Sequence, residues 1–453
     1  MMKVGFLPLY LALYDTVCPD IRPAMQKNAD NTAQKIRDLE LDVVQAPICR
    51  VKSEFEAALE LFKKENVECI ITLHLAYSPS LEAAEVLAES SLDIVMLDIT
   101  PDKEFSFGDL DKTMYNHGIH GVQDLANLLL RKKKLFQVIA GHADQPSVWH
   151  NLRVTLSGIH AAAAMRKVRV GSVGGEFAGM GDFRFALKDL PMEIVPFTDQ
   201  EVSDAEVQAE MALDQDRFIH GEYNQELYKQ TLKDSLRIRK WVEKEKLDAF
   251  TICFPGINRP EWNTVPFLEA SKSMARGIGY AGEGDCLTAA FCASVMKIAP
   301  RTTFSEMFCP DWENNRIFVS HMGEVNLALA AQKALLHETP YTFSDAENLI
   351  KAGCCLQQGR AVLADLAPGP DGKFSLICTL VNMVEQDTPS GKRITGWFSP
   401  ETVADIRSFL EQYSMLGGTH HLLLSYDVNP CALKVFAYFM QWDFHWLDDG
   451  LAE

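Results

Sequence analysis

The feature of this sequence that most constrains its fold is a regular alternation of short, β-branched apolar runs with longer amphipathic stretches. Such alternation is typical of βαβ units, which build a parallel sheet. The first third contains five predicted strands, at Lys3–Leu7, Asp42–Gln45, Glu68–His74, Asp93–Ile99 and Gln137–Gly141. The intervening stretches have the 3.6-residue apolar period of helices that cover a sheet.

A second alternating series begins at Val168–Val173 and continues through Glu193–Phe197 and Ala249–Phe254. After about residue 300 the pattern changes, because Arg316–Ser320 and Arg393–Phe398 are strand-like without a helical pattern after each of them. Strands that follow one another directly favour antiparallel pairing.

The sequence therefore predicts an α/β protein of three domains. Residues 1–166 and 167–300 are expected to form two Rossmann-like α/β domains with parallel sheets. Residues 301–453 are expected to form a mostly antiparallel, β-barrel-like C-terminal domain. A length of 453 residues agrees with about three domains of ~150 residues each.

Charge and cysteine content restrict the partners and the compartment. A net charge of −19 disfavours nucleic acid and anionic membranes as partners, because both require a concentrated basic surface. The eleven cysteines include no CxxC pair, and an odd number argues against a disulfide framework. No apolar run approaches the ~18–20 residues of a membrane span. We expect a cytoplasmic protein with reduced thiols.

Four short segments place carboxylates or imidazoles in turn-like contexts. They are Gly-Glu-Gly-Asp at 282–285, Thr-Phe-Ser-Glu at 303–306, Ser-His-Met at 320–322 and Gly-Gly-Thr-His-His at 417–421. Together they supply two Glu and two His, an oxygen and nitrogen set suited to a hard or borderline divalent cation such as Mn²⁺. Four such ligands leave positions open for water or substrate, so the pattern indicates catalysis more than structural support.

In their order and approximate spacing, these segments resemble those of the L-arabinose isomerase and L-fucose isomerase family, most closely the arabinose isomerases. The resemblance implies that Glu283 and Glu306 are both catalytic residues and metal ligands. It also implies that His321 and His421 complete the set of metal ligands, with Mn²⁺ or another divalent cation as cofactor. The activity implied is aldose–ketose isomerisation of a free monosaccharide through an enediol.

That chemistry explains why such residues are needed. A proton must move between C1 and C2 of the sugar, which requires a base and an acid, and the enediolate charge must be held. Two carboxyl groups close together repel each other when both are ionised, which drives their pKa values apart. We therefore expect Glu283 and Glu306 to differ in protonation, one acting as acid and the other as base.

The resemblance also implies contacts to the sugar. His117 and His120 are predicted to bind substrate, with helix capping as the alternative, and His420 to bind a sugar hydroxyl or only to shape its strand. Phe254 and Met180 are predicted to line the pocket, with core packing as the alternative. Because the resembled enzymes form homohexamers whose pockets borrow residues from a neighbour, we expect a homo-oligomer.

Several alternatives remain open at this level. The sugar could be L-arabinose, L-fucose, another aldose or a sulfosugar. A non-catalytic sugar-binding protein could use the same α/β domains, and a metal-dependent hydrolase or aldolase could use the same ligands. The glycines at 174, 175, 179 and 181 lack the full phosphate-binding spacing, so we interpret that loop as a turn at a domain interface.

Overall fold

The structure is a computed structural model that describes residues 2–384 and 392–449. Contacts between Cα atoms divide the chain into two units, Met1–His160 and Ala161–Glu453. The division into three domains at residues 166 and 300 stays a prediction.

The first unit contains one five-stranded, fully parallel sheet. Its strands are β1 (Lys3–Leu9), β2 (Asp42–Gln45), β3 (Cys69–His74), β4 (Asp93–Thr100) and β5 (Phe136–His142). Its helices are α1 (Tyr14–Val17), α2 (Arg22–Arg37), α3 (Lys52–Lys64), α4 (Ala84–Glu89), α5 (Thr113–Asn116) and α6 (Ile119–Arg131). Helix α7 (Pro146–Met165) begins in this unit and ends in the second. The strand order β2-β1-β3-β4-β5 confirms the predicted α/β arrangement.

Helix α3 shows why the amphipathic stretches become helices of this unit. Its buried residues are Phe55, Ala58 and Phe62, which the 3.6-residue period places on one face. They belong to one core cluster with Ile70 of β3. Burial of this apolar face, more than intrinsic helix propensity, therefore stabilises α3.

The second unit begins with a four-stranded parallel sheet in the order β10-β9-β6-β7. Its strands are β6 (Arg169–Val173), β7 (Glu193–Pro196), β9 (Ala249–Ile252) and β10 (Gly279–Gly282). Its helices are α8 (Asp204–Arg217), α9 (Gln225–Glu245), α10 (Phe267–Ala275) and α11 (Cys286–Met296). This sheet confirms the second predicted parallel series.

A ten-stranded, mostly antiparallel sheet completes the second unit. Its strands are β8 (Ile219–His220), β11 (Thr302–Asp311), β12 (Arg316–Ser320), β13 (Leu335–Thr339), β14 (Leu349–Cys355), β15 (Gly359–Pro368), β16 (Phe374–Met383), β17 (Ile394–Pro400), β18 (His421–Ser425) and β19 (Asp443–Trp446). Two helices follow β17 and β18 in turn, α12 (Ile406–Met415) and α13 (Pro430–Met440). Because β16 pairs with both β15 and β17, the strands β16-β15-β18-β11-β12-β17 close into a ring.

A buried ionic network joins α8, α9 and α10. The Nζ atom of Lys272 lies 2.7 Å from Glu210 Oε1 and 2.6 Å from Asp214 Oδ2. Arg239 forms ion pairs with Glu210 and with Glu269. The side chains of Lys272, Glu210, Asp214 and Glu269 are all at most 3% exposed. These charges are therefore compensated by one another and not by water.

Within the described residues, every helix is too short or too polar to cross a bilayer.

Candidate metal and catalytic site

The predicted ligands converge at strand ends and ladder positions of the second unit. Glu283 follows β10 directly, and His321 follows β12 directly. The antiparallel ladder between β11 and β18 places Glu306 opposite His421, and the ladder between β11 and β12 places Glu306 opposite Ser320. Directly paired residues have neighbouring side chains, so the strand register brings Glu306 and His421 together.

The turn that carries Glu283 is closely packed. A Cβ atom on Gly282 would lie 2.7 Å from Cε1 of His321, and one on Gly284 would lie 2.5 Å from the carbonyl oxygen of Gly175. Glu283 itself has a φ of 63°, in the left-handed region that non-glycine residues rarely adopt. Such strain is held by the surrounding structure and is concentrated at functional sites.

The ligand atoms of this cluster lie within a few ångströms of one another. His421 Nε2 is 3.2 Å from Glu306 Oε1 and 3.4 Å from Glu283 Oε2. His420 Nε2 is 3.5 Å from Glu283 Oε2, and His321 Nε2 is 3.6 Å from Glu306 Oε1. One ligand atom from each of Glu283, Glu306, His420 and His421 fits within 4.8 Å.

Several of these atoms are buried and have no hydrogen-bond partner among residues 2–384 and 392–449. They are Glu283 Oε2, His420 Nε2 and His421 Nε2. A buried polar atom left without a partner costs free energy, about 1–3 kcal/mol. Carboxylate oxygens and imidazole nitrogens that point at one centre are the ligands of a divalent cation, so the group fits such an ion.

Each of the three imidazoles also has a carboxylate at its other ring nitrogen, Nδ1, which does not face the cluster. The Nδ1 atoms pair as follows: His421 with Asp285 at 2.8 Å, His321 with Glu324 at 2.7 Å, and His420 with Asp182 at 2.6 Å. A carboxylate at Nδ1 fixes the tautomer and leaves the Nε2 lone pair free for a metal. Asp285 lies within the Gly-Glu-Gly-Asp motif and Glu324 two residues beyond the Ser-His-Met motif, and neither has a role predicted from sequence.

The surrounding imidazoles set the protonation of both predicted catalytic carboxyls. Burial raises the pKa of Glu283, but the approach of His420 and His421 outweighs it and lowers the pKa to about 2. Burial also raises the pKa of Glu306, but His421 and His321 outweigh it and lower the pKa below its ordinary value. The imidazoles thus favour the ionised form of both carboxyls, and the division of the pair into an acid and a base stays a prediction.

His421 is the most strongly perturbed imidazole of the cluster. Burial lowers its pKa, but the hydrogen bond to Asp285 and the carboxylates of Glu283 and Glu306 raise the pKa well above its ordinary value. A raised pKa favours the protonated imidazole, so a cation that binds Nε2 must displace the proton from that atom.

The loop after β6 covers the cluster, and apart from Met180 none of its residues is predicted from sequence to belong to the site. Phe183 stacks on His421, with ring centroids 5.1 Å apart and planes 5° apart. Asp182 Oδ2 accepts a hydrogen bond from the backbone N–H of His420 at 2.9 Å, and the Phe177 N–H donates to the carbonyl of Glu283 at 3.3 Å. The glycines of this loop were the available signal, but they were interpreted as a domain-interface turn.

The residues predicted to bind substrate fall into two groups. His117 and His120 lie in the first unit, where the Tyr14 hydroxyl is 3.1 Å from His117 Nε2 and the two imidazoles are edge to face. Phe254 packs between Phe177 and Phe343 in the second unit. Met180 lies in the loop after β6 and His420 in the cluster itself. Their contacts with a sugar stay predictions.

Comparison with known proteins agrees with the motifs. Residues 163–301 match the family model of the L-arabinose isomerase central domain, and residues 301–443 match that of the C-terminal domain. The L-arabinose isomerase of Shouchella clausii is 24% identical over 419 residues, which are 86% of this chain and 84% of the relative. That of Pediococcus pentosaceus is 24% identical over 446 residues, 91% of this chain and 92% of the relative.

Two adjoining domain models of one family thus cover most of the second unit, and full-length relatives extend the similarity into the first. The four motifs that carry the clustered carboxylates and imidazoles lie inside the matched region, at residues 282–421. The chain belongs to the L-arabinose isomerase family.

Proposed function

We propose that this protein is a metal-dependent aldose–ketose isomerase that acts on a free monosaccharide in its open-chain form. The observation that carries the proposal is the convergence of Glu283, Glu306, His420 and His421 on one point, with buried and unpartnered ligand atoms. Family membership supports the same reaction, because the relatives are named L-arabinose isomerases.

We propose Mn²⁺ as the cofactor, held by Glu283, Glu306, His321 and His421. The mixed oxygen and nitrogen set suits Mn²⁺, and the carboxylates behind the imidazoles would orient them. His420 belongs to the tightest group of ligand atoms and is the alternative fourth ligand. The bound cation would stabilise the negative charge that develops on the two sugar oxygens during enediol formation.

The chain's own groups account for the proton transfer. Both carboxyl groups have lowered pKa values and are ionised at neutral pH, so either can accept a proton. The carboxylate that removes the proton from C2 of an aldose becomes the acid that returns it to C1, and the second carboxylate would accept the O2 proton and return it to O1. Phe183, stacked over His421, would limit the access of water to this exchange.

The remaining expectations belong to the same proposal. We propose that His117, His120, Phe254 and Met180 contact the sugar, and that the protein works as a cytoplasmic homohexamer. L-arabinose, L-fucose and a sulfosugar are the candidate substrates.

The direct test is conversion of aldoses in deuterated water. Protein loaded with Mn²⁺ is expected to convert at least one aldose of a panel into its ketose, with deuterium appearing next to the carbonyl. Removal of the metal with a chelator is expected to abolish conversion, and added Mn²⁺ to restore it. If metal-loaded protein converts none of the aldoses, the proposal fails.

The carboxylate behind His421 provides a second test. Replacing Asp285 by Asn is expected to lower the affinity for Mn²⁺ about 10- to 100-fold, because the amide no longer fixes the imidazole as a carboxylate does. Asp285 also caps α11 by accepting a hydrogen bond from the Thr288 N–H. Asn caps helices as well as Asp, so helix stability is retained. The measurement is a competitive metal titration.

A matched control comes from the equivalent cap of α12. Asp405 accepts a hydrogen bond from the Ser408 N–H at 2.8 Å. Asp405→Asn makes the same chemical change at an N-cap that does not contact the cluster's imidazoles. Equal metal affinities of the two variants would contradict the role given to Asp285.

A further inference from the structure

The turn that carries Glu283 is held by one buried hydroxyl, that of Thr251 in β9. We propose that Thr251 is a positioning residue for the isomerisation, because its hydroxyl fixes the residues on both sides of Glu283 and so aims the Glu283 carboxylate at the cluster. This inference rests on the proposed function and adds a residue to it.

The Thr251 hydroxyl bridges the two glycines that flank Glu283. It donates a hydrogen bond to the carbonyl of Gly282 at 3.2 Å, and it accepts one from the Gly284 N–H at 3.0 Å. A threonine hydroxyl has one hydrogen and two acceptor lone pairs, so it can make both bonds at the same time. One side chain therefore joins the first and the third residue of the turn.

Strand pairing ends one residue too early to satisfy this turn. Gly282 is the last residue of β10 in register with β9, where it lies opposite Ile252, and the Glu283 N–H donates to the Ile252 carbonyl at 2.8 Å. The buried Gly284 follows beyond the ladder, before α11 begins. A buried N–H needs an acceptor, and the Thr251 hydroxyl supplies it.

These bonds hold a backbone conformation that glutamate rarely adopts. Glu283 has a φ of 63°, and Gly284 follows with a φ of 83°. A residue in the left-handed region keeps that conformation when the surrounding structure imposes it. A change of φ at Glu283 would swing its carboxylate away from His421 Nε2, which is now 3.4 Å from Glu283 Oε2. The two bonds of Thr251 therefore determine where the carboxylate points.

The place of Thr251 in the sheet gives its hydroxyl a rigid base. Thr251 is fully buried, and β9 pairs with β10 on one side and with β6 on the other. A buried hydroxyl costs free energy unless it is hydrogen-bonded, and the two bonds to the turn satisfy this one. Groups held by central strands keep their geometry better than groups on loops.

The test is a pair of substitutions at Thr251 in the Mn²⁺-loaded protein. Thr251→Val keeps the volume of the side chain and removes the hydroxyl, whereas Thr251→Ser keeps the hydroxyl and removes a buried methyl group. We expect Thr251→Val to lower kcat at saturating Mn²⁺ about 10²-fold, the effect of misplacing a catalytic group by about 1 Å, with little change in KM. Thr251→Ser should retain kcat, although loss of the methyl group lowers its stability.

Affinity for Mn²⁺ is a second readout, and it does not depend on turnover. Because Glu283 is a proposed metal ligand, Thr251→Val is expected to weaken Mn²⁺ binding about 10- to 100-fold in a competitive titration, and Thr251→Ser is not. Thr231→Val is the matched control. Thr231 of α9 is also fully buried, but its hydroxyl has no hydrogen-bond partner among residues 2–384 and 392–449. Its removal should leave kcat and Mn²⁺ affinity unchanged.

The outcomes are distinguishable. Unchanged kcat and Mn²⁺ affinity in Thr251→Val would overturn the inference, and so would equal losses in Thr251→Val and Thr251→Ser, which would trace the effect to packing. Should Thr251→Val not fold, Thr251→Cys replaces it, because a thiol is a weaker donor and acceptor than a hydroxyl. Its kcat and affinity are expected to fall below those of Thr251→Ser, and equal values would overturn the inference. If the unmodified protein converts no aldose, the proposed function fails, and Mn²⁺ affinity alone decides on Thr251.

Discussion

Glu306→Gln is expected to lower turnover by about 10³-fold or more, with fold and assembly retained. Gln preserves the shape of the side chain and its place opposite His421 in the ladder, but it cannot accept a proton at neutral pH. General acid–base catalysis contributes typically about 10²–10⁴-fold, and loss of one carboxylate charge weakens the cation site further. The measurement is kcat for the best aldose together with deuterium incorporation at the carbon next to the carbonyl.

Two effects contribute to this loss of turnover: loss of the group that accepts the proton, and weaker binding of the metal. Turnover is therefore compared at saturating Mn²⁺, so that weaker metal binding does not by itself account for the decrease. Glu313→Gln, in the exposed turn between β11 and β12, makes the same change away from the cluster and should retain full turnover. Turnover within a few-fold of the unmodified protein at saturating Mn²⁺ would remove Glu306 from the mechanism.

Lys272→Met is expected to lower the free energy of unfolding by about 3–5 kcal/mol. The Lys272 side chain is 2% exposed, and its ammonium lies within 2.7 Å of both Glu210 and Asp214. Glu210 keeps its ion pair with Arg239, but the buried Asp214 carboxylate is left with Arg217, which is 45% exposed and 3.5 Å away. Loss of the close partner of this buried charge is the origin of the large effect. Met fills a similar volume, so the loss reports on charge and not on a cavity. Denaturant unfolding measures this loss of stability as a lower midpoint of the unfolding transition, with the slope of free energy against denaturant concentration unchanged.

A surface lysine provides the comparison for this stability effect. The Lys240 ammonium is 2.9 Å from Glu206, but their side chains are 38% and 44% exposed. Exposed pairs contribute about 0–1 kcal/mol, so Lys240→Met should change stability little. Equal effects of the two substitutions would show that the buried network contributes no more than a surface pair.

The sequence predicts the architecture well because periodicity reports burial. The predicted bounds Asp42–Gln45 coincide with those of β2, and the amphipathic stretch that follows it forms α3. In both α/β series, each covering helix must present one apolar face to its sheet, and this requirement is visible in local sequence. The ring closure through β16 and β17 was not predictable in this way, because pairing between strands is set by tertiary packing.

The candidate site was predictable where it coincides with a motif and not elsewhere. Glu283, Glu306 and the paired imidazoles at 420 and 421 lie in distinctive segments, and the structure brings them together. Asp182 and Phe183 lie in a loop whose sequence does not reveal that it folds back onto β18. The lowered pKa values of the carboxyls also depend on imidazoles from two segments far apart in the chain, His420 and His421 at the start of β18 and His321 after β12, and no local pattern contains both.

The ladder between β11 and β18 limits which ions the site can accept. Both strands are paired on both sides, so moving Glu306 relative to His421 would break two sets of hydrogen bonds. A slip of one residue would turn Glu306 to the opposite face of the sheet. The backbone spacing of these two ligands is thus fixed, and adjustment to a cation of different ionic radius must come from the side-chain torsions of Glu306 or from the turns that carry Glu283 and His420.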